Sequence, residues 1–563
     1  MIRFSAISTL LFGRYALATG IPRSQTLALE VLSTQVQGRL YEGEPYSKPC
    51  FEDFDSAECE SLRAGNANDT FRAEFFGSYT NTNWEACEAI AGDQCLLDWT
   101  NINSSVPTLA PNACRAGSIS PYYIDVRRPQ DVSAAFNFSK VTKTPLIIKN
   151  TGHDYKGRSS APNTLALWTH NLQNITYNPN FVADGCSQAN PGVTFGAGVQ
   201  WEEAYVFAEA HNITLVGGSD RGVGVSGGWV QGGGHSALSN TMGLGVDRVL
   251  QFRLVTPDGK YVTANECQNE DLFFALRGGG GGTFGVVLES TMLASPRVTL
   301  QAVIISWANP NITLTTTLWT LLIDHAITWA DQGWGGFVNG ESVIYVSPTL
   351  NKTAATEAMK PLIEFGQNVT NAGVTGASVV VAEFPSYYSF FQAFANVKSS
   401  TVGDNLALGS RLVPRNNFAT NTSKAELLDA LLNAHAIAPS LRMLISPPTS
   451  FPGDNTTSVT EAWRDSIYHV TLIQTWYWNS TVDFKKHAYA NLTKAIDYVR
   501  QITPDAAYQN EADIHEPNHE VSFWGTHYSR LLSIKKKYDP DHLLDCWHCV
   551  GWNSSSPRFA CYL

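Results

Sequence analysis

Glycine is concentrated in one part of this chain, and that concentration limits what this part can fold into. Eighteen of the 44 glycines lie between residues 217 and 285, most of them in segment 217–234 and in the five-glycine run 278–282. Each glycine inside a helix costs about 1 kcal/mol relative to alanine, so neither segment can be mainly helical. Because glycine permits positive φ and close approach to the backbone, both segments predict loops that contact a ligand.

A third glycine loop follows an earlier apolar run. Residues 145–149 predict a buried strand, and the motif Gly152-x4-Gly157-Arg158-Ser159 comes directly after it. The motif nearly matches a P-loop, but Arg158 stands where an ATPase needs lysine to reach the terminal phosphates. The loop therefore argues against an ATPase and still predicts a cradle of backbone N–H groups for an anion, with Lys149 and Arg158 adding positive charge.

The second glycine segment contains the pattern Gly222-x-Gly224-x-x-Gly227, with Asp247 twenty residues beyond it. A dinucleotide fingerprint of this form must open a helix, yet here more glycines follow at 228 and 232–234. We therefore predict a loop and not a Rossmann turn. Three such loops within residues 145–290 suggest one extended, phosphate-bearing ligand that spans several strand ends; the alternative is a set of tight turns in a β-rich domain.

Composition excludes some classes of protein. Hydrophobic residues make up 44% of the 563 residues and charged residues 16%, which argues for a large buried core and against general disorder. The formal net charge is −12, and Lys535–Lys537 is the only notable basic run, which reads as a solvated helix face. A nucleic-acid partner is not expected, because phosphate binding needs a concentrated positive surface.

The N-terminus and the asparagines predict secretion. Residues 1–18 resemble a signal peptide, with an apolar run that is interrupted by Arg14 and ends at Ala16-Leu-Ala18. No other apolar stretch reaches the roughly 18 residues that a membrane span needs. The sequence also contains thirteen N-x-[ST] sequons, which predict an N-glycosylated secreted protein; they begin at Asn68, Asn103, Asn137, Asn174, Asn212, Asn311, Asn351, Asn368, Asn421, Asn455, Asn479, Asn491 and Asn553.

Ten cysteines fit an oxidising compartment. Five lie within residues 50–114 and three within 546–561, and such clusters predict local disulfides. Sequence cannot determine connectivity; we expect Cys50–Cys59 and Cys87–Cys95. Zinc is disfavoured at Cys546-Trp-His-Cys549, because no second pair of ligands follows at a suitable spacing, so disulfides or free thiols are expected there.

The glycine content and the predicted pattern of strands and helices change near residue 297. Beyond it glycine becomes rarer, and strands at 302–307 and 342–346 alternate with predicted helices at 354–365, 424–435 and 486–501. Earlier strands are predicted at 164–168, 193–198, 213–216, 250–255 and 260–262, the last two joined by a turn at Pro257-Asp-Gly259, and a further helix is predicted at 521–538. The expected divisions are a signal peptide (1–18), a cysteine-bearing extension (19–112), a glycine-rich domain (113–297), a substrate domain (298–502) and a C-terminal segment (503–563).

At these loops the sequence resembles FAD-linked oxidases of the vanillyl-alcohol oxidase/p-cresol methylhydroxylase (PCMH) fold, in the berberine bridge enzyme-like branch. Segments 147–160, 217–247 and 271–287 resemble that family's three FAD loops, and segments 508–511 and 523–540 resemble its C-terminal segment. The resemblance covers roughly residues 113–297 and 503–552, with the motifs in the family's order. It implies an α+β fold: a two-part FAD-binding domain of PCMH type, plus an α+β substrate domain with an antiparallel sheet.

The resemblance also implies the residues of the site. His153 matches the histidine that carries an 8α-linked flavin. Many members add a cysteine from a C-P-T-V-G pattern, but here the matching stretch is Ser219-Asp-Arg-Gly-Val223, so a single attachment through His153 is implied. The other implied FAD-binding residues are Lys149, Asn150, Thr151, Gly152, Asp154, Gly157, Arg158, Ser159, Gly218, Gly224, Gly227, Gly228, Gly232, Gly233, His235, Asp247, Gly282, Gly285, Val287 and Asn510.

The catalytic base remains open at this point. Tyr508 lies in the family's Y-x-N motif and is the candidate, although a phenol with an ordinary pKa near 10 needs a positive neighbour or a hydrogen-bond partner to act at neutral pH. Tyr508 could equally pack under the flavin. His235 could face the ring or only order its loop, and Arg411 could line the substrate cavity or form a surface salt bridge.

The implied reaction is oxidation of a small molecule by hydride transfer to flavin N5, with molecular oxygen as the electron acceptor. An alcohol or a specialised metabolite is the expected substrate, in fungal natural-product biosynthesis. Three alternatives stay open: a secreted oligosaccharide oxidase, which an open, aromatic-lined groove would favour; a flavin-dependent oxidative cyclase; and a secreted glycoprotein that has lost redox activity.

Overall fold

The computed structural model describes residues 23–398 and 401–563. The expected signal peptide at 1–18 lies outside the described residues. Among the helices of the described ranges, none combines the length and the apolar character that crossing a membrane requires.

Eighteen strands are found in the described ranges. In chain order they are β1 (Leu40–Glu42), β2 (Tyr122–Asp125), β3 (Leu146–Lys149), β4 (Leu165–Trp168), β5 (Ile175–Val182), β6 (Ala189–Gly196), β7 (Ile213–Thr214), β8 (Val249–Val255), β9 (Tyr261–Ala264), β10 (Val286–Leu293), β11 (Ser295–Pro296), β12 (Leu300–Ser306), β13 (Gly335–Val338), β14 (Ser342–Ser347), β15 (Ser378–Phe384), β16 (Asn405–Pro414), β17 (Arg442–Ile445) and β18 (Ser466–Trp476).

These strands form three main sheets. A mixed sheet has the order β1-β2-β4-β3, with β2, β4 and β3 parallel, and an antiparallel sheet has the order β5-β6-β10-β8-β9. The third sheet is antiparallel and seven-stranded, in the order β15-β12-β14-β13-β17-β18-β16, and a small β11-β7 pair lies beside it. With the helices, this is the expected α+β architecture with an antiparallel sheet in the second half.

The longer helices of the described ranges are Arg23–Gln35, Ala57–Ala64, Pro129–Thr142, Trp201–Ala210, Ile312–Asp331, Lys360–Asn371, Tyr387–Lys398, Asn421–Ile437, Val482–Arg500 and Tyr528–Tyr538. The shorter ones are Lys48–Glu52, Asp69–Ala73, Val230–Gly232, Ser239–Met242, Glu270–Leu276, Lys352–Ala358, Ala462–Asp465 and His519–Trp524. Several of these helices begin with a side-chain N-cap. At the start of Ile312–Asp331, the Asn311 side chain accepts hydrogen bonds from the backbone N–H groups of Thr313 and Leu314.

Two predicted helices are wrong as continuous elements. The helix expected at 354–365 is broken at Met359, because Pro361 lacks the N–H that a helix interior needs and instead occupies the first turn of Lys360–Asn371. The helix expected at 521–538 is broken at Gly525, whose φ of 52° no helix residue adopts. The predicted turn at 257–259 is confirmed: β8 and β9 form a hairpin, and Gly259 has a φ of 86°.

The disulfides confirm one predicted pair and contradict the other. Cys50–Cys59 is present, but Cys87 is bonded to Cys561 and Cys95 to Cys114. The remaining pairs are Cys186–Cys267 and Cys546–Cys549, so the Cys-x-x-Cys motif is a disulfide. Proximity in sequence was a poor guide because the C-terminus packs against the extension.

The N-terminal extension is part of the mixed sheet. Its strand β1 pairs with β2, and the ammonium group of buried Lys149, at the end of β3, donates to the backbone oxygens of Phe75, Phe76 and Ser78. The predicted domain boundaries stay predictions; the seven-stranded sheet begins at Leu300 and the last helix packed on it ends at Arg500.

The seven-stranded sheet has two different faces. One face packs on the helices Ile312–Asp331, Lys360–Asn371 and Val482–Arg500 in a large buried cluster that includes Trp319 and Leu492. The helix Asn421–Ile437 packs on Ile312–Asp331 and Val482–Arg500. Side chains of the opposite face line a cavity that also borders the glycine loops. The fold therefore places a sheet face opposite the loops that the sequence singled out.

Candidate active site

The loop after β3 is held in a fixed shape by its own side chains. The Asp154 carboxylate accepts hydrogen bonds from the Ser159 N–H and hydroxyl, both at 2.7 Å, and from the Lys156 N–H at 3.1 Å. Gly152 has a φ of 87°, a conformation that residues with a Cβ rarely adopt. The loop turns sharply at this glycine, and the next residue is His153.

The second and third glycine loops are joined through Gln231. Its backbone oxygen accepts hydrogen bonds from the N–H groups of Gly278 and Gly280 at 3.0 and 2.9 Å. Its side-chain amide donates to the oxygens of Ser226 and Gly227 at 3.1 and 3.2 Å. The segment 222–227 does not open a long helix, as expected, although single helical turns occur at Val225–Trp229 and Val230–Gly232.

Asn510 connects the C-terminal segment to the first two loops. Its amide nitrogen donates to the Gly228 oxygen at 2.8 Å and to the Tyr508 hydroxyl at 2.7 Å. Its amide oxygen accepts from Arg158 Nη2 at 2.7 Å. One amide side chain therefore fixes the relative positions of three segments that are far apart in sequence.

These segments enclose a cavity, which we call the long cavity, of about 1180 Å³ counted out to its open mouth. Most of the predicted site residues line it: Asn150, Thr151, Gly152, His153, Asp154, Arg158, Ser159, Gly224, Gly227, Gly228, Gly282, Gly285, Val287, Tyr508 and Asn510.

Two of the glycines show why side chains are excluded from these loops. A Cβ at Gly224 would lie 1.9 Å from the Asn150 amide oxygen, so the loops can approach each other only without it. A Cβ at Gly228 would meet nothing within 4 Å and would point into space bordered by the long cavity. Glycine therefore permits close loop packing at one position and leaves room for a ligand at the other.

Three of the predicted residues do not line the long cavity; they support its loops from outside. Lys149 is directed towards the extension, and burial lowers its pKa to about 7. A Cβ on Gly157 would lie 2.2 Å from the Trp84 ring. Asp247 forms hydrogen bonds of 2.8 and 2.6 Å with the Arg464 guanidinium and accepts from the Leu244 N–H.

Gly232 and Gly233 are two further predicted residues that do not line the long cavity. They face the C-terminal segment: a Cβ on Gly232 would lie 2.5 Å from the Asn510 amide, and one on Gly233 would lie 3.2 Å from the Tyr508 ring. They let that segment come close to the second loop.

A second cavity, which we call the side cavity, has a volume of about 1120 Å³ counted in the same way. Predicted residues Gly218 and His235 line it. The seven-stranded sheet forms one wall through the apolar residues Phe337, Val338, Ile344, Leu408, Leu444 and Ile473. The side cavity meets the long cavity at residues that border both: His153, Tyr155, Val223, Trp229 and Glu511.

His153 is paired with an acidic side chain at this junction. Its Nε2 lies 3.2 Å from Asp220 Oδ2, and both side chains are about nine-tenths buried. Burial lowers the pKa of His153, but the Asp220 carboxylate outweighs burial and raises it above its ordinary value. Asp220 belongs to the stretch Ser219–Val223, which contains no cysteine.

A second acid lies next to this pair. Asp69, from the extension, accepts a hydrogen bond from the Gly222 N–H at 2.8 Å, and burial beside Asp220 raises the pKa of Asp69 to about 7. Two neighbouring carboxylates share a proton more readily than both ionise, so the charge concentrates on Asp220 beside His153.

Arg411 lines neither cavity and is not at the surface, so both interpretations from the sequence are wrong. Its side chain is fully buried and forms ion pairs with Asp505, at 2.9 Å, and with Glu516. A buried arginine requires such partners, because an unpaired charge in the interior is costly.

Sequence reasoning did not identify several residues that line the cavities. Glu511 and Asp220 lay inside quoted motifs, but the histidines that they approach are far away in the sequence, so no local signal marked them. Gln231 also lay in the second loop. Leu544, Asp545 and Cys546 come from the C-terminal tail, and no motif marked them as cavity residues.

The chemistry of the long cavity fits FAD. Three loops offer backbone N–H groups, Arg158 supplies a buried positive charge with one unpartnered nitrogen among the described residues, and the Asn150 amide oxygen is likewise without a partner there. An elongated ligand with anionic and hydrogen-bonding groups would satisfy these atoms. With the adjoining side cavity, the fold and the site define a flavin-dependent oxidoreductase.

Comparisons with known proteins agree. Residues 121–265 match the model of the FAD binding domain, and residues 507–546 match that of berberine and berberine-like proteins. The chain is 36% identical to the FAD-linked oxidoreductase ffsJ of Aspergillus flavipes, covering 92% of this chain and 91% of that protein. It is also 36% identical to the FAD-linked oxidoreductase cheF of Chaetomium globosum, covering 97% and 89%.

Among solved structures, the VAO-type flavoprotein MtVAO615 from Myceliophthora thermophila aligns with a TM-score of 0.81 and 26% identity, covering 96% of this chain and 97% of that one. The chain belongs to the FAD-linked oxidoreductases of the VAO-type, berberine-bridge-like family. The family and fold expected from the three loops are confirmed.

Proposed function

We propose that the protein is a secreted oxidase that oxidises an alcohol group of a small specialised metabolite, with FAD attached covalently through His153 and molecular oxygen as the electron acceptor. FAD supplies a two-electron acceptor for the hydride of a C–H bond. The observation that carries the proposal is the meeting of the two cavities at His153: a substrate in the side cavity and FAD in the long cavity would share a border there.

The wall of the side cavity supports a compact, mainly apolar substrate. Five of the six apolar sheet residues named above are aliphatic, whereas an oligosaccharide site is favoured by an open, aromatic-lined groove. Arg442 also lines this cavity, and the described parts of the chain offer it no acidic partner. Its guanidinium is therefore available to a substrate oxygen. This combination suits a molecule that has a hydrocarbon part against the sheet and oxygen groups towards the polar residues of the cavity.

Anaerobic reduction of the bound flavin tests this function. The holoenzyme is mixed without oxygen with a panel of primary, secondary, allylic and benzylic alcohols, and with glucose oligosaccharides for comparison. We expect an apolar alcohol, and no sugar, to bleach the flavin absorbance, and air to restore it with release of hydrogen peroxide. Bleaching by sugars alone would favour the oligosaccharide oxidase, and no bleaching except by dithionite would contradict the proposal. NMR of the product separates a carbonyl compound from a ring-closed one and so tests the cyclase alternative.

The positions of the sequons support secretion. In the structure the asparagines of all thirteen sequons are solvent-exposed, although many lie on helices or next to buried residues. Glycans could therefore be attached at each of them without disturbing the core.

We expect the protein from a eukaryotic secretory host to migrate above its polypeptide mass and to fall to that mass after treatment with peptide N-glycosidase. Mass spectrometry would then find aspartate in place of asparagine at glycosylated sites. The same chain from bacterial cytoplasm is the control. Identical migration before and after treatment would contradict the assignment to the secretory pathway.

A further inference from the structure

Two histidines and one glutamate form a cluster where the long and side cavities meet. Glu511 lines both cavities, and its carboxylate lies 3.0 Å from His235 Nε2 and 3.7 Å from His469 Nδ1. The ring of Tyr508 is the next neighbour, 5.4 Å from the His235 ring between centroids. Four groups that could exchange protons therefore lie within one small region.

Hydrogen bonds within the protein occupy every donor and acceptor position of the Tyr508 hydroxyl. It accepts hydrogen bonds from Asn510 Nδ2 at 2.7 Å and from the Gly234 N–H at 3.2 Å, and it donates to the Trp229 oxygen at 3.3 Å. A hydroxyl has one hydrogen and two lone pairs, so no lone pair is free for a substrate proton. Burial also raises the pKa of Tyr508 well above its ordinary value, which further disfavours ionisation. These contacts suit a residue that orders the loops.

His235 has the opposite pattern of contacts. Its Nε2 makes a hydrogen bond with Glu511 Oε1 at 3.0 Å, while Nδ1 has no hydrogen-bond partner within the residues that the structure describes. The ring lines the side cavity and keeps 12% of its side chain accessible. Because a carboxylate can only accept, Nε2 carries the hydrogen, and in the neutral ring Nδ1 has the lone pair.

Glu511 is suited to hold His235 in that tautomer. Burial raises its pKa, but the adjacent His235, through its charge and its hydrogen bond, outweighs burial and lowers the pKa of Glu511 to about 2. The carboxylate is therefore ionised at neutral pH and stabilises an imidazolium that forms beside it.

His469 plays a different part from His235. Its side chain is fully buried, neither of its ring nitrogens has a hydrogen-bond partner in the described residues, and burial lowers its pKa to about 3. The 3.7 Å separation from Glu511 is too long for a hydrogen bond. His469 packs against the pair as a neutral ring and excludes water from one side of it.

We propose that His235, oriented by Glu511, is the proton acceptor of this enzyme. The inference rests on the proposed alcohol oxidation. Bound FAD would supply the two-electron acceptor for the hydride of the substrate C–H bond; the O–H bond would break as well, and its proton would form a new N–H bond at His235 Nδ1. The carbonyl product, the reduced cofactor and a protonated imidazole balance the step, and Glu511 acts as the positioning residue.

Chemical labelling tests the free nitrogen without any turnover. The holoenzyme is treated briefly with diethyl pyrocarbonate, which acylates imidazole lone pairs, and each histidine is quantified by peptide mass spectrometry. We expect His235 to be labelled in the native protein, and His469 to be labelled only after unfolding. Absence of labelling at His235 under native conditions would overturn the proposal, because Nδ1 would then not be available to a substrate.

Variants then test the role in catalysis. His235→Gln keeps an N–H donor towards Glu511 but cannot take the proton, so we expect anaerobic flavin reduction by the best alcohol of the panel to slow by roughly 10²–10⁴-fold. Glu511→Gln removes the charge that selects the tautomer and should slow it by about 10²-fold or more. Flavin content, the visible spectrum and reduction by dithionite should stay unchanged in both.

Rescue separates a proton acceptor from a structural residue. His235→Ala should regain part of its rate when imidazole is added, whereas Tyr508→Phe should lose less activity than His235→Gln and gain nothing from imidazole. The matched control is His527→Ala: His527 Nε2 lies 3.5 Å from Glu461, a similar pair that lines neither cavity, and its loss should leave the rate unchanged.

The outcomes separate the two proposals. If no alcohol reduces the wild-type flavin, the proposed function fails, while the labelling pattern still decides whether His235 Nδ1 is free. If an alcohol does reduce it and His235→Gln keeps the wild-type rate, the proposed function stands and this inference fails. A stoichiometric metal ion that is lost with Glu511→Gln would also overturn it, since the histidine lone pair would be occupied.

Discussion

Replacing His153 by alanine is expected to move all of the FAD from the acid-precipitated protein into the supernatant. The side chain lies at the junction of both cavities, and Asp220 Oδ2 is 3.2 Å from Nε2, so the proposed covalent bond to the flavin would form at Nδ1. Alanine has no nucleophile, so attachment should be lost completely and not merely slowed. Acid precipitation, followed by absorbance of pellet and supernatant and by mass spectrometry of the peptide around residue 153, measures the effect.

Two further variants sharpen this test. Asp220→Asn keeps the shape of the site but removes the charge that fixes the imidazole, so we expect slower and incomplete attachment in a time course of apoprotein with added FAD. His527→Ala should attach FAD as the wild type does. Flavin that stays in the pellet of His153→Ala would show that another residue carries the bond, and flavin in the wild-type supernatant would show that there is no covalent bond.

Replacing Arg411 by methionine is expected to cause a large loss of stability, although Arg411 lies away from the cavities. Arg411 and Glu516 are both fully buried, and Glu516 would keep only Arg500 and the Ser522 hydroxyl as partners. Removing one member of a buried pair typically costs about 3–5 kcal/mol. For a unit of about 200 residues, a loss of about 3 kcal/mol lowers the midpoint of thermal unfolding by roughly 6–12 °C.

The chain provides a matched control four residues away. Arg415 pairs with Asp331 at the surface, where their side chains are 33% and 53% exposed. Exposed pairs contribute about 0–1 kcal/mol, so Arg415→Met should shift the midpoint little. Adding Glu516→Gln to Arg411→Met should recover part of the loss, because the buried carboxylate that has lost one of its two arginine partners is then replaced by a neutral amide. Equal shifts for Arg411→Met and Arg415→Met would contradict the buried-pair explanation.

Local patterns explain which parts of the fold could be predicted from sequence. The strand before Asn150, the turn at Gly259 and the glycine loops follow from residues close together in sequence, because turns and loop glycines impose local backbone requirements. The resemblance then identified most of the residues that line the long cavity. Pro361 and Gly525 were also visible in the sequence as helix breakers, but the helical periodicity of the residues on either side favoured continuous helices.

Contacts between distant segments explain the rest. Lys149 follows a strand and precedes a glycine loop, so it looked like a ligand for phosphate; its actual partners are backbone oxygens of residues 75–78, which no pattern around residue 149 indicates. The partners of Arg411 are about 100 residues away, and the Glu511–His235 pair joins residues 276 apart. Side-chain pairing of this kind depends on tertiary packing, and tertiary packing between distant segments produces no periodic pattern in the sequence.

The Cys87–Cys561 bond makes the order of synthesis matter. Cys95 is made eight residues after Cys87, whereas Cys561 follows 474 residues later, which at 5–20 residues per second is a delay of roughly 25–95 s. During that interval a nascent chain in an oxidising compartment has Cys95 as the nearer partner for Cys87. Correct pairing therefore requires either that the extension keeps Cys87 reduced until translation ends or that an isomerase reverses an early Cys87–Cys95 bond. For anyone who produces this enzyme, two consequences follow. The yield should depend on disulfide isomerase, and the C-terminus should not tolerate a truncation that removes Cys561.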